Sequence, residues 1–261
     1  MSFDRSRAIA GDFYEVASSS STNSELSARA DREGMADLTV MLTRYQSAGR
    51  GRLGRAWTAP PGAAVAVSVL LRPTTPDGTP VPPERLGWLP IIAGLAMSEA
   101  IGSVLPGRPW GFKWPNDVLV GDRKLCGILA EMLPSGSGVV VGSGINTRMA
   151  HGELPVPTAT SLALEGLEVD DALEDAVLAT YLGGLRNRVR RYVALGAEAS
   201  GIRAEARAGC VTLGRQLRVE LPDGRELRGT AVDLDEEGRL VVQGEDGVAR
   251  SVAAGDVTHV R

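Results

Sequence analysis

Two hydrophobic periods alternate along the chain. Apolar residues recur at helical spacing from Leu86 to Val104 and again from Asp170 to Leu195. The second stretch opens acidic and closes basic, which complements a helix dipole. Around them lie short β-rich runs at Phe13–Val16, Leu38–Arg44 and Ala64–Leu71, the last (AVAVSVLL) apolar almost throughout and so predicted to be a buried strand. Gly111–Trp114, Val118–Val120, Lys124–Leu133 and Val139–Val141 read as consecutive strands joined by tight turns at Gly121-Asp122 and Gly136–Gly138. Thr22 followed by Glu25 forms a capping-box pattern and predicts a short helix through about Ala30. Gly49–Trp57, Thr74–Pro83 and Thr147–Thr160 read as loops, the last long enough to be a candidate lid.

The pattern changes near Gly209. Gly214–Val219, Leu227–Asp233, Leu240–Gln243 and Val248–Val252 are short β runs, with turns at Pro222-Asp223-Gly224 and Glu236-Glu237-Gly238. This tail has the size of an SH3-like barrel. The expected division is residues 1–208 as one domain and 209–261 as a second.

Composition narrows the class. A 43% hydrophobic, 23% charged chain of 261 residues can bury a sizeable core. A net charge of −4 argues against a general polyanion binder. Cys126 and Cys210 are isolated, without metal-type spacing, which suits a reducing compartment. The N-terminal stretch lacks the apolar core of a signal peptide, and no apolar run looks long enough to span a bilayer. A soluble cytoplasmic protein without a metal site is expected.

Four segments can carry chemistry. Gly49-Arg50-Gly51-Arg52-Leu53-Gly54-Arg55-Ala56-Trp57 alternates glycines, which admit unusual backbone angles, with permanently charged donors, and ends in a flat aromatic face. It reads equally as a phosphate or carboxylate loop, a basic surface loop or a nucleic-acid contact. Lys113-Trp114-Pro115-Asn116-Asp117 could meet a ligand's polar edge or simply turn the chain. In Lys124-Leu125-Cys126-Gly127-Ile128-Leu129-Ala130-Glu131, strict alternation places Lys124 with Cys126 and Ile128, and Gly127 on the opposite face. Gly142-Ser143-Gly144-Ile145-Asn146, after the Val139 strand, resembles a phosphate-cradling turn without being a dinucleotide fingerprint. Cys126 reads as a packing residue, since no histidine motif accompanies it.

Taken in order, Ser21-Thr22-Asn23, Gln46, GRGRLGRAW, KWPND, KLCGILAE, GSGIN and Ala159–Leu162 resemble the biotin–protein ligase family over about Ser20 to Leu162. The tail is similar to that family's C-terminal domain. The resemblance implies an α+β fold: a mixed, largely antiparallel sheet packed with helices, class II synthetase-like and related to lipoyl ligases, plus a small C-terminal SH3-like β-barrel. It implies biotin contacts from Ser21, Thr22, Asn23, Gln46, Gly49, Arg50, Gly51, Arg52, Lys124, Gly127 and Gly142. Arg52, Arg55, Trp57, Asn116, Lys124, Ile145 and Asn146 would hold the adenylate, with Lys124 and Arg52 catalytic. The implied substrates are biotin and ATP with Mg²⁺, and the implied acceptor is a biotin carboxyl carrier domain of an acyl-CoA carboxylase. Bifunctional members carry an N-terminal DNA-binding domain, and about twenty residues before Ser21 are too few for one. The expectation is therefore no repressor role, no nucleic-acid or membrane partner, and a monomer or weak dimer.

Three rivals remain at this stage. A lipoyl ligase or acyltransferase on the same fold would usually carry Arg-Arg and Gly-Gly-Gly where GRGRLGRAW stands. A nucleic-acid module would use the Arg/Gly loop, against the acidic cluster at Asp233–Glu237. The tail could also be an independent interaction domain.

Overall fold

The computed structural model describes residues 3–221 and 224–260, so the Pro222-Asp223 part of one predicted turn lies outside the described residues. Seven strands form the larger sheet: β1 (Phe13–Glu15), β2 (Val40–Thr43), β3 (Ala64–Leu71), β4 (Trp110–Lys113), β5 (Asp117–Val120), β6 (Arg123–Met132) and β7 (Val139–Asn146). Their spatial order is β1-β2-β3-β7-β6-β5-β4. Only β1–β2 pairs parallel, and every other pairing is antiparallel. The predicted strands are present, but β7 runs on through Asn146, so Gly142–Asn146 is strand and not a phosphate-cradling turn.

The apolar run of β3 hides an alternation of size. Val65, Val67, Val69 and Leu71 enter the main core, whereas Ala64, Ala66, Ser68 and Leu70 face the other side. The Val face packs beneath α3 (Leu89–Val104) and α4 (Asp171–Ala199). Asp170 caps α4 by accepting from Leu173 N–H at 2.8 Å. Leu26 and Ala30 of α2 (Thr22–Ala30) cover one end of the opposite face, against Met41, Leu70 and Val140. The small residues leave the rest of that face open.

The cap of α2 differs from the capping box expected at Thr22. Ser21 is the N-cap, its Oγ accepting from Ser24 N–H at 3.5 Å, and the Glu25 carboxylate accepts from Ser20 N–H at 3.2 Å. The helical stretch Pro83–Val104 also corrects the expectation about apolar length: by length and composition it could cross a membrane. Its residues Leu89, Ile91, Ile92, Ala96, Ala100 and Ile101 are instead buried in the main core, so it serves as a core helix.

A short α1 (Asp4–Arg7) is tied to α4, where Asp175 accepts from Arg5 N–H, Ser6 N–H and Ser6 Oγ. The tail folds as β8 (Gln216–Glu220), β9 (Glu226–Leu234), β10 (Leu240–Gly244), β11 (Ala249–Val252) and β12 (Asp256–His259), in the order β11-β10-β9-β8-β12, all antiparallel. Three elements were not anticipated: α1, α5 (Ile202–Gly209), which precedes this sheet, and β12 itself.

The second sheet is not a tethered module. Leu217, Val219, Ala231, Leu234 and Val242 belong to the same apolar cluster as Phe112, Trp114 and the α3 residues. Trp88 Nε1 donates to Glu236 O at 2.7 Å and Trp114 Nε1 to Gly238 O at 3.1 Å, so two indoles from the first unit hold the β9–β10 turn.

Candidate active site

The open face of the large sheet has a floor without side chains. Gly142 and Gly144 of β7 lie beside Ser68 and Ala66 of β3, and Gly127 of β6 lies beside Gly144. One functional side chain covers each glycine. A Cβ on Gly142 would sit 2.2 Å from Asn23 Oδ1, and one on Gly144 2.4 Å from Trp57 Cε2. A Cβ on Gly127 would sit 3.1 Å from Lys124 Nζ. These positions are glycine because a neighbour approaches their backbone. Above the floor is a cleft of about 510 Å³, the size of an ordinary small-molecule site.

One end of the cleft is built from neutral polar groups at the start of α2. Thr22 N–H and Thr22 Oγ1 donate to Gln46 Oε1 at 2.8 and 3.1 Å. Because a backbone N–H can only donate, the Gln46 oxygen must face Thr22 and its NH₂ faces elsewhere. Ser68 Oγ donates to Asn23 Oδ1 at 2.6 Å, while Asn23 Nδ2 donates to Leu129 O at 3.0 Å and Glu131 Oε2 at 2.9 Å. Glu131 also receives Arg50 at 2.8 Å. Both amides are therefore fixed in one orientation, as discrimination among neutral polar ligands requires. Ser68 was not singled out from sequence, because a lone serine in an apolar run carries no local signal.

The other end is cationic, and a β-bulge builds it. Asp117 pairs with Gly127 and Val118 with Cys126, but Leu119 pairs with Lys124, so Leu125 is an extra residue on β6. Leu125 and Cys126 both enter the core, and Lys124 is turned onto the face of Gly127. This overturns the strict alternation expected for β6. Lys124 Nζ lies 2.6 Å from Asp117 Oδ1, an ion pair at the cleft wall. Its backbone is pinned too: Lys124 N–H donates to Thr158 O and Thr160 N–H to Lys124 O, both at 2.8 Å. The far end of the 147–160 loop is thus fixed to β6. Burial pushes the Cys126 thiol well above the ordinary thiol range, so it is a packing group.

The Arg/Gly segment is a folded hairpin in this structure. Gly51 N–H donates to Arg55 O at 2.7 Å and Trp57 N–H to Gly49 O at 2.8 Å. A single turn at Arg52–Gly54 carries Leu53 in the left-handed region, at φ 56°. Arg52 donates to Asn116 Oδ1 at 3.0 Å and reaches Gly255 O at 3.4 Å. Arg55 pairs with Asp256. Burial lowers the Arg52 pKa from its ordinary value, with Asp117 opposing that shift.

Ser21, Thr22, Asn23, Gln46, Arg50, Gly51, Arg52, Arg55, Trp57, Asn116, Lys124, Gly127, Gly142 and Asn146 all border the cleft. Gly49 and Ile145 do not. Gly49 stands behind Trp57, where a Cβ would meet Trp57 O at 2.4 Å, so it seats the indole and does not form a wall. Ile145 points to the opposite face and is buried in the main core, so its side chain cannot line a nucleotide pocket. Lys113 and the stretch Gly255–Thr258 of the second sheet also border the cleft. The latter were missed because nothing in their local sequence links them to residues some two hundred positions earlier.

The biotin/lipoate A/B protein ligase family model matches residues 15–146, and the biotin protein ligase C-terminal domain model matches residues 212–260. The chain is 38% identical to the biotin–[acetyl-CoA-carboxylase] ligase of Mycobacterium tuberculosis, over 94% of this chain and 88% of that protein. It is 29% identical to the bifunctional ligase/repressor BirA of Bacillus subtilis, over 83% of this chain and 65% of that protein. Among solved structures, the biotin protein ligase of Aquifex aeolicus in complex with biotin and ATP superposes with a TM-score of 0.76 at 24% identity, covering 96% of this chain and 99% of that one. The Leishmania major biotin protein ligase in complex with biotinyl-5-AMP gives 0.59 at 23% identity, covering 94% and 99%.

Proposed function

The chain belongs to the biotin/lipoate A/B protein ligase family, and on that premise we propose that it activates biotin with ATP and transfers it to a lysine of an acceptor protein. The observation that carries this reading is the two-ended cleft. Oriented neutral amides and hydroxyls at Thr22, Asn23, Gln46 and Ser68 suit the ureido end of biotin. Lys124, Arg52 and Arg55 at the other end suit a carboxylate meeting a phosphate. A lipoyl group has no ureido ring to satisfy the fixed amides, which disfavours that rival.

In the first step a biotin carboxylate oxygen attacks the α-phosphorus of ATP, pyrophosphate leaves, and biotinyl-5′-AMP forms. The two reacting groups are anionic and repel by about 4 kcal/mol at 4 Å with an effective dielectric near 20. Lys124 offsets this by standing at the junction as a positioned charge, whose attraction grows as charge builds on the phosphoryl oxygens. Arg52 and Arg55 hold the phosphate, and Trp57 offers its face to the adenine. Mg²⁺ arrives on the triphosphate as part of the substrate. Among the described residues no cluster of three or more His, Cys, Asp or Glu side chains could hold a metal.

In the second step the acceptor's neutral lysine amine attacks the acyl carbon and AMP leaves. Asp117, already against Lys124, is the proton acceptor or orienting group in this reading. The acceptor is a biotin carboxyl carrier domain of an acyl-CoA carboxylase. The protein acts in the cytoplasm as a monomer or weak dimer, with neither nucleic acid nor membrane as partner. Residues 1–208 form the ligase domain and 209–261 the C-terminal domain. Biotin-dependent ATP–pyrophosphate exchange by the purified protein tests the reading: exchange that requires biotin supports it, and none with biotin, or exchange driven instead by lipoate, overturns it.

A further inference from the structure

Among the described residues, Lys113 is a cation of the cleft whose ammonium has no hydrogen-bonded partner of its own. It ends β4, where Phe112 enters the core and Lys113 takes the opposite face, paired across the strands with Asp117. Its side chain borders the cleft and is half-buried. Three other cations there have an anion: Arg50 has Glu131, Arg55 has Asp256 and Lys124 has Asp117. Arg52 donates to the amide oxygen of Asn116. The one carboxylate near Lys113 is already engaged by Lys124 at 2.6 Å. The Lys113 ammonium makes no hydrogen bond or close ion pair among the described residues, although its carbonyl accepts from Asn116 N–H at 3.1 Å.

That arrangement is costly. A half-buried ammonium loses hydration, and this one gains in return only the field of a carboxylate that Lys124 already engages. Burial lowers the Lys113 pKa; the charge of Asp117 opposes that shift only in part, and the like charges of Lys124 and Arg215 add to the cost. His259 of β12 also lies near it and contributes no negative charge. Arg215 is engaged elsewhere, with Asp122 at 2.9 Å. The polypeptide therefore keeps an incompletely compensated positive post beside the Lys124–Asp117 pair, and an arriving anion would offset the remaining penalty.

On the ligase reading, the biotin carboxylate and the α-phosphate fall to Lys124 and the two arginines of the hairpin. We propose that Lys113 binds the remaining phosphates of ATP and holds the pyrophosphate leaving group. As a biotin carboxylate oxygen bonds to the α-phosphorus, the bond from that phosphorus to the bridging oxygen breaks. The electron pair leaves with pyrophosphate, and the Lys113 ammonium stabilises the charge that gathers there. Nothing in the second step carries these phosphates, so Lys113 acts in one half-reaction only.

That asymmetry supplies the test. Lys113→Met and Lys113→Arg are compared with the wild type in two assays: formation of biotinyl-5′-AMP from biotin and ATP, and transfer from presynthesised biotinyl-5′-AMP to an acceptor domain. Lys113→Met is expected to slow adenylate formation about 10²-fold, with a raised KM for ATP and inhibition by pyrophosphate weakened about tenfold or more. Transfer from the presynthesised adenylate stays at the wild-type rate, and Lys113→Arg recovers most of the first step. A parallel fall in both assays would make Lys113 a structural residue and overturn the assignment, as would unimpaired adenylate formation. A wild-type protein inactive in both assays overturns the ligase reading itself, and this assignment with it.

Discussion

The indole of Trp57 lies against Gly144 so closely that a Cβ on the glycine would sit 2.4 Å from the ring. The missing side chain therefore decides where the aromatic face stands. Gly144→Val is expected to lift Trp57 out of place. One lost stacking contact is worth about 1–3 kcal/mol, so the KM for ATP should rise about tenfold or more while that for biotin changes little. Separate titrations of the two substrates check this, and an unchanged ATP KM would mean that Trp57 does not face the nucleotide.

Lys124→Ala removes the charge at the carboxylate–phosphate junction. Adenylate formation should fall about 10²–10³-fold. Lys124 is partly exposed and its loss opens no core cavity, so the melting temperature should fall only by what the loss of Asp117's ion-pair partner costs, and the protein should stay folded. Pyrophosphate release at the wild-type rate would end the assignment.

Arg52→Gly deletes the contacts that tie the hairpin to Asn116 and Gly255. The adenylate should then escape faster, about tenfold or more if one charge-assisted hydrogen bond is lost. Stopped-flow dissociation of biotinyl-5′-AMP measures this, and an off-rate equal to that of the wild type contradicts it.

Acid should loosen the C-terminal sheet first. Burial, helped by the charges of Lys113 and Arg215, pushes His259 down to about 4 from an ordinary value of 6.5. The folded state thus binds fewer protons than the unfolded state between those values. The stability this confers is complete above pH 6.5 and is lost as pH falls toward 4. His259→Gln should flatten that part of the stability–pH curve, and a curve of unchanged slope would place the proton elsewhere.

The hydrophobic pattern made most of the fold legible, because α3 and α4 carry apolar residues at helical spacing and β3 is an apolar run of strand length. The site was harder to read. Asn23, Trp57 and Lys124 sit in segments whose order is distinctive, yet what places them is the set of glycines at 142, 144 and 127 on three registered positions of two strands. Period-two logic put Lys124 on the wrong face because a single bulge residue, Leu125, resets the alternation without any signal of its own. Ile145 failed for the converse reason: its neighbours on both sides face the cleft, and it cannot. Ser68 and Gly255–Thr258 depend on long-range pairing, which no local window contains.

The cleft wall at Gly255–Thr258 comes from the last strand of the chain, while its floor comes from the first sheet. Any molecule bound there grips both and acts as a rivet between them. Occupancy should therefore tighten a junction the shared core already makes, and the melting midpoint should climb with ligand concentration, by about 4 kcal/mol of added stability at a thousand times Kd. A protease that nicks the tail would find its target protected for as long as the cleft stays filled.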